Sequence, residues 1–304
     1  MKNLFGMKSL SYLTVAFIMF LASCSDSNKI DFTASDASNV EGESTADSYS
    51  TDASDVSTDV VGGLSDTQLG GRESDVILIK DGFGDNDRLK CATITITRTG
   101  TNKDNPAGVI TIVYPADGSC KDAHGNVRKG TITVTYTGKK FQKDSKILTT
   151  FTDYSVAGVK IEGAHTLAYA PPGAAGYPKF TAIIVSGKIT FLNGKTVTRE
   201  QNFTREWQRA TNPTQDKWVL LSGGTASGSN RDGKTYVMTV TKDLVYSRAC
   251  QISNKVFIAV SGEKTFTSDS KVVTINFGDG ACDNMVTITI NGKSKEVEVK
   301  GDGN

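Results

Sequence analysis

Histidine is almost missing from this chain: its 304 residues hold two, His124 and His165. Neither stands in an HxH or HxxxH pair, so a histidine metal centre lacks its ligand set. No Gly-x-Ser-x-Gly elbow exists to present a serine nucleophile. No Cys-x-x-Cys pair exists to hold zinc. Beyond the first two dozen residues no apolar run approaches the ~18 residues of a membrane-spanning helix. Charge of one sign is also lacking: 34 Lys and Arg stand against 33 Asp and Glu, a formal net charge of +1. No electrostatic term then draws the chain to nucleic acid, and nothing in the sequence calls for a cofactor.

What is present begins with Thr, Ile, Val and Gly. From Cys91 onward the chain reads as strand after strand. Ala92–Thr97, Thr131–Thr137 and Val286–Ile290 alternate Thr with Ile, Val or Tyr. That period of two marks strands with one apolar and one wet face. Asn193-Gly194, Asp232-Gly233 and Asn291-Gly292 supply tight hairpin turns. The expected fold is all-β: an antiparallel meander of about a dozen strands, forming an extended twisted sheet, a half-barrel or a sandwich.

A weak internal repeat relates residues 91–139 to residues 250–293. Val109–Cys120 resembles Val272–Cys282 with one deletion, and each copy ends in Asp-Gly-(Ser/Ala)-Cys. Each has one cysteine about thirty residues upstream, so only Cys91–Cys120 with Cys250–Cys282 treats both copies alike. Such a loop contributes about 3 to 4 kcal/mol on the loop-entropy model.

The N-terminus has its own logic. Lys2 and Lys8 precede an apolar run from Leu10 to Leu21, too short for a permanent span but suited to a signal peptide. Leu21-Ala22-Ser23-Cys24 resembles the lipobox of bacterial lipoproteins. That resemblance implies cleavage before Cys24 and lipidation of its thiol, removing residues 1–23. With its Thr-rich strands and acidic N-terminal stretch, the whole chain looks like the β-rich envelope lipoproteins of Bacteroidota. The resemblance implies a cell-envelope location, on the outer membrane, held through lipidated Cys24. Residues 24–88 read as an acidic tether, with spacer from Ser25 to Glu43. Tyr49, Ala53, Val56, Val60 and Leu64 fall at helical spacing, which predicts a short helix over 45–63. Residues 89–304 form the β domain.

Candidate functional residues are few. Thr204–Arg209 is the most distinctive cluster, and with Trp218 it offers Trp207, Arg205 and Arg209 as binding residues; core packing is the plainer use of such a strand. Glu162, Glu200, Glu206 and Glu263 are the carboxylates a polysaccharide hydrolase could use. Asp81–Asp87 carries alternate oxygens that suit calcium but lacks the distal Glu of an EF-hand. Asp117, Asp122, Asp279 and Asp283 flank the repeated turns. Two classes remain: a non-enzymatic envelope protein that binds a glycan or protein partner, and a hydrolase, with a lipid or lipoprotein carrier between them. Paired carboxyls about 5 to 10 Å apart in a large pocket favour the hydrolase. A closed apolar groove favours the carrier, and a filled core with a flat polar surface favours the binding or structural role.

The Cys24→Ala chain is expected to be exported and soluble, because buried acyl chains contribute ~0.8 kcal/mol per CH₂ and nothing else anchors the protein. Cell fractionation reads the difference, and full membrane association of the variant would refute lipid anchoring at Cys24.

Overall fold

The computed structural model describes residues 34–70, 76–79, 86, 88–99, 104–122, 125–139, 142–173, 175–254, 256, 258–268 and 271–299. The expected leader with Cys24, and the expected calcium turn apart from Asn86, lie outside them. Two helices open the described chain, α1 (Ala34–Gly63) and α2 (Asp66–Leu69). Strands follow: β1 (Val76–Ile79), β2 (Thr93–Arg98), β3 (Ala107–Tyr114), β4 (Arg128–Thr137) and β5 (Lys146–Val156). Next come β6 (Val159–Ala170), β7 (Lys179–Thr190), β8 (Thr196–Gln208), β9 (Lys217–Leu220) and β10 (Thr225–Ser229). The last are β11 (Thr235–Ser247), helix α3 (Arg248–Asn254), β12 (Ser261–Ser268), β13 (Lys271–Asp279), β14 (Met285–Ile290) and β15 (Lys293–Glu298).

All fifteen strands belong to one antiparallel sheet in chain order. The one departure is β9, which pairs with β8 and β11 beside β10. β9 and β10 therefore share one position in the meander, offset by the turn at Leu221–Gly224. The all-β meander expected from the sequence is the architecture observed, and the two half-sandwiches allowed by the repeat are replaced by one continuous sheet.

The period of two puts one face inward. Ile94, Ile96, Ile110, Ile112, Ile132 and Val134 are buried between the outward threonines of β2, β3 and β4. A lone sheet leaves such a face wet, and here α1 covers it. Ala53, Val56, Val60, Val61 and Leu64 join those isoleucines in one cluster, each buried Val or Leu contributing ~1.5–3 kcal/mol. A second cluster runs from Phe203 through Met238, Phe266 and Ile275 to Ile290.

α1 crosses the strands instead of running along them. Glu43 meets Arg199 of β8 and Lys264 of β12. Asp47 also holds Arg199, at 2.9 Å. Further on, Asp52 pairs with Arg128 of β4 at 2.7 Å and with Arg88, and Asp59 closes on Arg88. These pairs correct the expected tether. The helix begins at Ala34, not near residue 45, and Glu43, placed in the spacer, is 1% exposed. Serine and aspartate are poor helix formers alone, but here their side chains are held by cations on the sheet. The sheet also starts early: β1, inside the expected 24–88 tether, pairs with β2.

The disulfides join Cys91 to Cys120 and Cys250 to Cys282, with Cα–Cα distances of 5.5 and 5.1 Å. This is the pairing the repeat requires. The copies differ locally, since Cys250 sits in α3 and does not open a strand.

Burial alone would raise the Glu43 carboxyl, but Lys264 and Arg199 outweigh it and hold the group at about 2. A depressed acid stabilises the fold fully above its ordinary value of 4.5 and loses that contribution as pH falls towards 2. Glu43→Ala leaves buried Lys264 without its carboxylate and Arg199 with Asp47 alone, so it should cost about 3–5 kcal/mol at neutral pH. Urea titrations of both chains at pH 7 and pH 3 test this; the gap between them should narrow at the lower pH.

Candidate functional site

Where α1 turns hydroxyl and carboxyl side chains to the sheet, the packing opens. Ser50, Ser54 and Thr58 recur at i, i+4 and i+8, with Thr51 and Asp55 one position on, so all five share one side of the helix. Opposite them lie Ile147 and Thr149 of β5, His165 and Leu167 of β6, Ala182 and Ile184 of β7, and Gln201 and Arg205 of β8. Together they line a cleft of ≈ 510 Å³ counted with its open mouth.

Ser54 Oγ lies 3.0 Å from His165 Nδ1 and 2.9 Å from the Ser50 carbonyl oxygen. One hydroxyl proton cannot serve both. When it goes to Ser50, the imidazole Nδ1–H donates to Ser54. Burial, with Arg199 nearby, lowers His165 to about 4, so the ring is neutral at physiological pH. The pair resembles the start of a nucleophilic dyad, but its other parts are missing. Among the described residues no group bonds the second ring nitrogen. Ser54 sits inside a helix whose backbone N–H groups are already bonded, leaving no oxyanion donors beside it.

Asp55 is the one carboxyl lining the cleft. Burial raises it to about 6, against the pull of Arg205 and Arg88 and with the push of Asp59 and Asp52. Arg205 makes a single long contact, from Nη2 to Thr51 Oγ1 at 3.5 Å.

The sequence candidates separate. Arg205 lines the cleft, whereas Trp207, Trp218 and Arg209 stack together beyond it. The two indoles are 5.3 Å apart and nearly parallel, and Arg209 covers the other face of Trp207 at 4.0 Å. The Trp207 indole N–H donates to buried Asp216 at 2.9 Å. Trp207 thus has both ring faces covered, and Trp218 is the more exposed indole, at 36%. The cluster clasps β8 to β9 and presents no ring platform.

The four glutamates all point away from α1 and do not meet. Glu162 contacts Lys160 and Lys188, and Glu200 accepts from the Ser186 N–H. Glu206 lies near Lys179. Hydrogen bonds from Lys242 and Thr241 depress Glu263. Asp117, Asp122 and Asp283 accept turn N–H groups from Ser119, Asn126 and Met285, while Asp279 closes β13. Among the described residues no group of three His, Cys, Asp or Glu could hold a metal.

The cleft residues Ser54, Asp55 and His165 escaped the sequence reading. A signal existed in the Ser50–Ser54–Thr58 spacing, offset from the Tyr49–Leu64 apolar stripe. His165, 111 residues away from Ser54, carried none. Comparisons with protein-family models, curated proteins and solved structures returned no match.

Because the folded value of Asp55 is raised, its ionisation opposes folding at neutral pH, and stability grows as pH falls through about 6. Asp55→Asn should therefore raise the thermal midpoint at pH 7, by ~2–4 °C for each kcal/mol recovered. The advantage should vanish near pH 4. Calorimetry at the two pH values checks the sign.

Proposed function

We propose that the chain is a lipid-anchored envelope protein that binds an extended, neutral polysaccharide along the face of the sheet turned away from α1. One observation carries the reading. Following the register from strand to strand, a single row crosses the whole sheet. It begins Val76, Thr97, Val109, Thr135, Leu148, Thr166, Ile183 and Asn202. It continues Thr225, Thr239, Thr265, Thr274, Thr289 and Ser294. No member is charged and none is buried. A parallel row, Leu78–Thr95–Thr111–Thr133–Thr150–Ala164–Val185, is uncharged as well.

At ~4.8 Å per strand the long row spans roughly 60 Å. Hydroxyls that both donate and accept, spaced among methyl groups, match the hydroxyls and C–H faces of a neutral sugar chain. The row itself offers a charged chain no counter-charge. The competing classes fit less well. A carrier needs a closed apolar groove, and the opening left beside α1 is lined by hydroxyl, imidazole, carboxyl and guanidinium groups as well as apolar ones. A hydrolase needs two carboxyls near each other, and the cleft holds one. The anchor at Cys24 rests on the lipobox, and a binding face held near a membrane is the use such an anchor serves.

Sedimentation of the chain from Ser25 with insoluble neutral polysaccharides tests the proposal. The unaltered chain should co-sediment. Thr135→Lys combined with Thr274→Lys should reduce binding at least tenfold with an unchanged thermal midpoint. Trp218→Ala, on the other face, should bind as the unaltered chain does. Failure to sediment with any neutral polysaccharide, or full binding by the double lysine variant, overturns it.

A further inference from the structure

We propose that the cleft between α1 and β5–β8 is a binding site for a small zwitterion of the α-amino acid kind, its carboxylate on Arg205 and its ammonium on Asp55. The site lies on the opposite face of the sheet from the threonine row, so it stands or falls independently of the polysaccharide reading.

The argument begins with what the other charges of the inner face do. Arg199, Lys264, Arg128 and Arg88 are each matched to carboxylates of α1. Arg98 instead donates to the carbonyls of Thr67 and Gln68, and Arg205 and Asp55 differ from all of these. They face each other across the cleft and feel each other's charge, yet among the described residues neither forms an ion pair. The carboxyl of Asp55 makes no hydrogen bond there, and the guanidinium makes only its long contact to Thr51. A fork of five N–H donors with one weak partner is suited to a bidentate carboxylate. A carboxyl raised by burial is relieved by a cation brought beside it.

The remaining lining fixes the rest of the ligand. Ile147, Leu167, Ala182 and Ile184 give an apolar floor for a short aliphatic side chain. Thr51, Thr58, Thr149, Gln201 and the Ser54–His165 pair add neutral polar groups. Because His165 stays neutral, the cleft keeps one charge of each sign. A net anion or net cation would leave one of them unmatched; a zwitterion satisfies both.

The groups facing Asp55 are Asp52 and Asp59 on its own helix, Arg88 before β2, His165 on β6 and Arg205 on β8. Burial lifts Asp55 to about 6 and lowers His165 to about 4, so affinity between those values should follow Asp55. Affinity for the zwitterion should fall as pH drops below about 6.

Titration of the unaltered chain with L-alanine and D-alanine, followed by calorimetry and by the imidazole proton resonances, tests the site. The chain has two histidines, so the resonance of His165 is assignable, and it should shift on binding of one or both isomers. Acetate or ethylammonium alone should bind at least tenfold more weakly. Arg205→Gln and Asp55→Asn should each weaken alanine binding at least tenfold, and the second variant is expected to be the more stable protein, so lost binding there is not lost folding. Absence of alanine binding, binding that leaves His165 unmoved, binding indifferent to both substitutions, or preference for glucose over alanine each overturns the proposal.

Discussion

The pairing of an acidic helix with a basic inner sheet face is the constraint on which the rest of this structure depends. Glu43, Asp47, Asp52 and Asp59 meet Arg199, Lys264, Arg128 and Arg88, three of them on strands β4, β8 and β12. Opposite charges removed from water attract strongly, yet each carries a desolvation cost of several kcal/mol, so such pairs add little over an apolar contact. Their effect is to fix register. An apolar stripe alone could slide along an apolar sheet. A helix whose carboxylates must each find a particular guanidinium or ammonium cannot slide or turn without stranding a buried charge.

That constraint explains the single layer. A fifteen-stranded meander buries one face only if something lies on it, and most sheets of this size use a second sheet. Here α1 supplies cover from β12 to β4, and tyrosines seal the gaps. Tyr136 donates to the Leu69 carbonyl at 2.7 Å and Tyr114 to that of Arg88 at 3.1 Å. Tyr154 accepts from Arg128 at 2.7 Å. Arg98 donates to the carbonyls of Thr67 and Gln68 at the end of α2. Each satisfies a backbone or ionic group that the change from helix to sheet leaves buried, where an unmade bond costs about 1–3 kcal/mol.

The strands were legible because their signal is local. Alternating Thr and Ile at β2, β4 and β14 needs no distant partner to be read, and neither do the Asn-Gly turns. The disulfides were legible through the repeat, which relates positions far apart in the chain. Half of α1 was legible, from Tyr49 to Leu64, because apolar residues mark it. Its first half was not. Glu43 and Asp47 look like solvated spacer until Arg199 and Lys264, 156 and 221 residues from Glu43, are brought over them. The cleft was illegible for the same reason: Asp55, His165 and Arg205 come from three elements, and no spacing relates them. The tryptophans misled in a different way. Their residue types suggest a binding surface, but the register that puts Trp207 opposite Trp218 turns them onto each other.

The segregation of charge also settles how an open sheet stays single. Its two edges differ in kind. β1 is only four residues long, and its outward Val76 and Leu78 are exposed. β15 carries Lys293, Lys295, Glu296 and Glu298. A short strand offers few unpaired backbone groups, and a charged one resists docking another chain beside it. Edge-to-edge growth is therefore opposed at both ends by different means. The interior of the outer face needs no such guard, since its backbone is already paired within the sheet. One row of it stays uncharged from β1 to β15, while Glu162, Glu200, Glu206 and Glu263 stand beside that row, three of them paired with lysines of neighbouring strands.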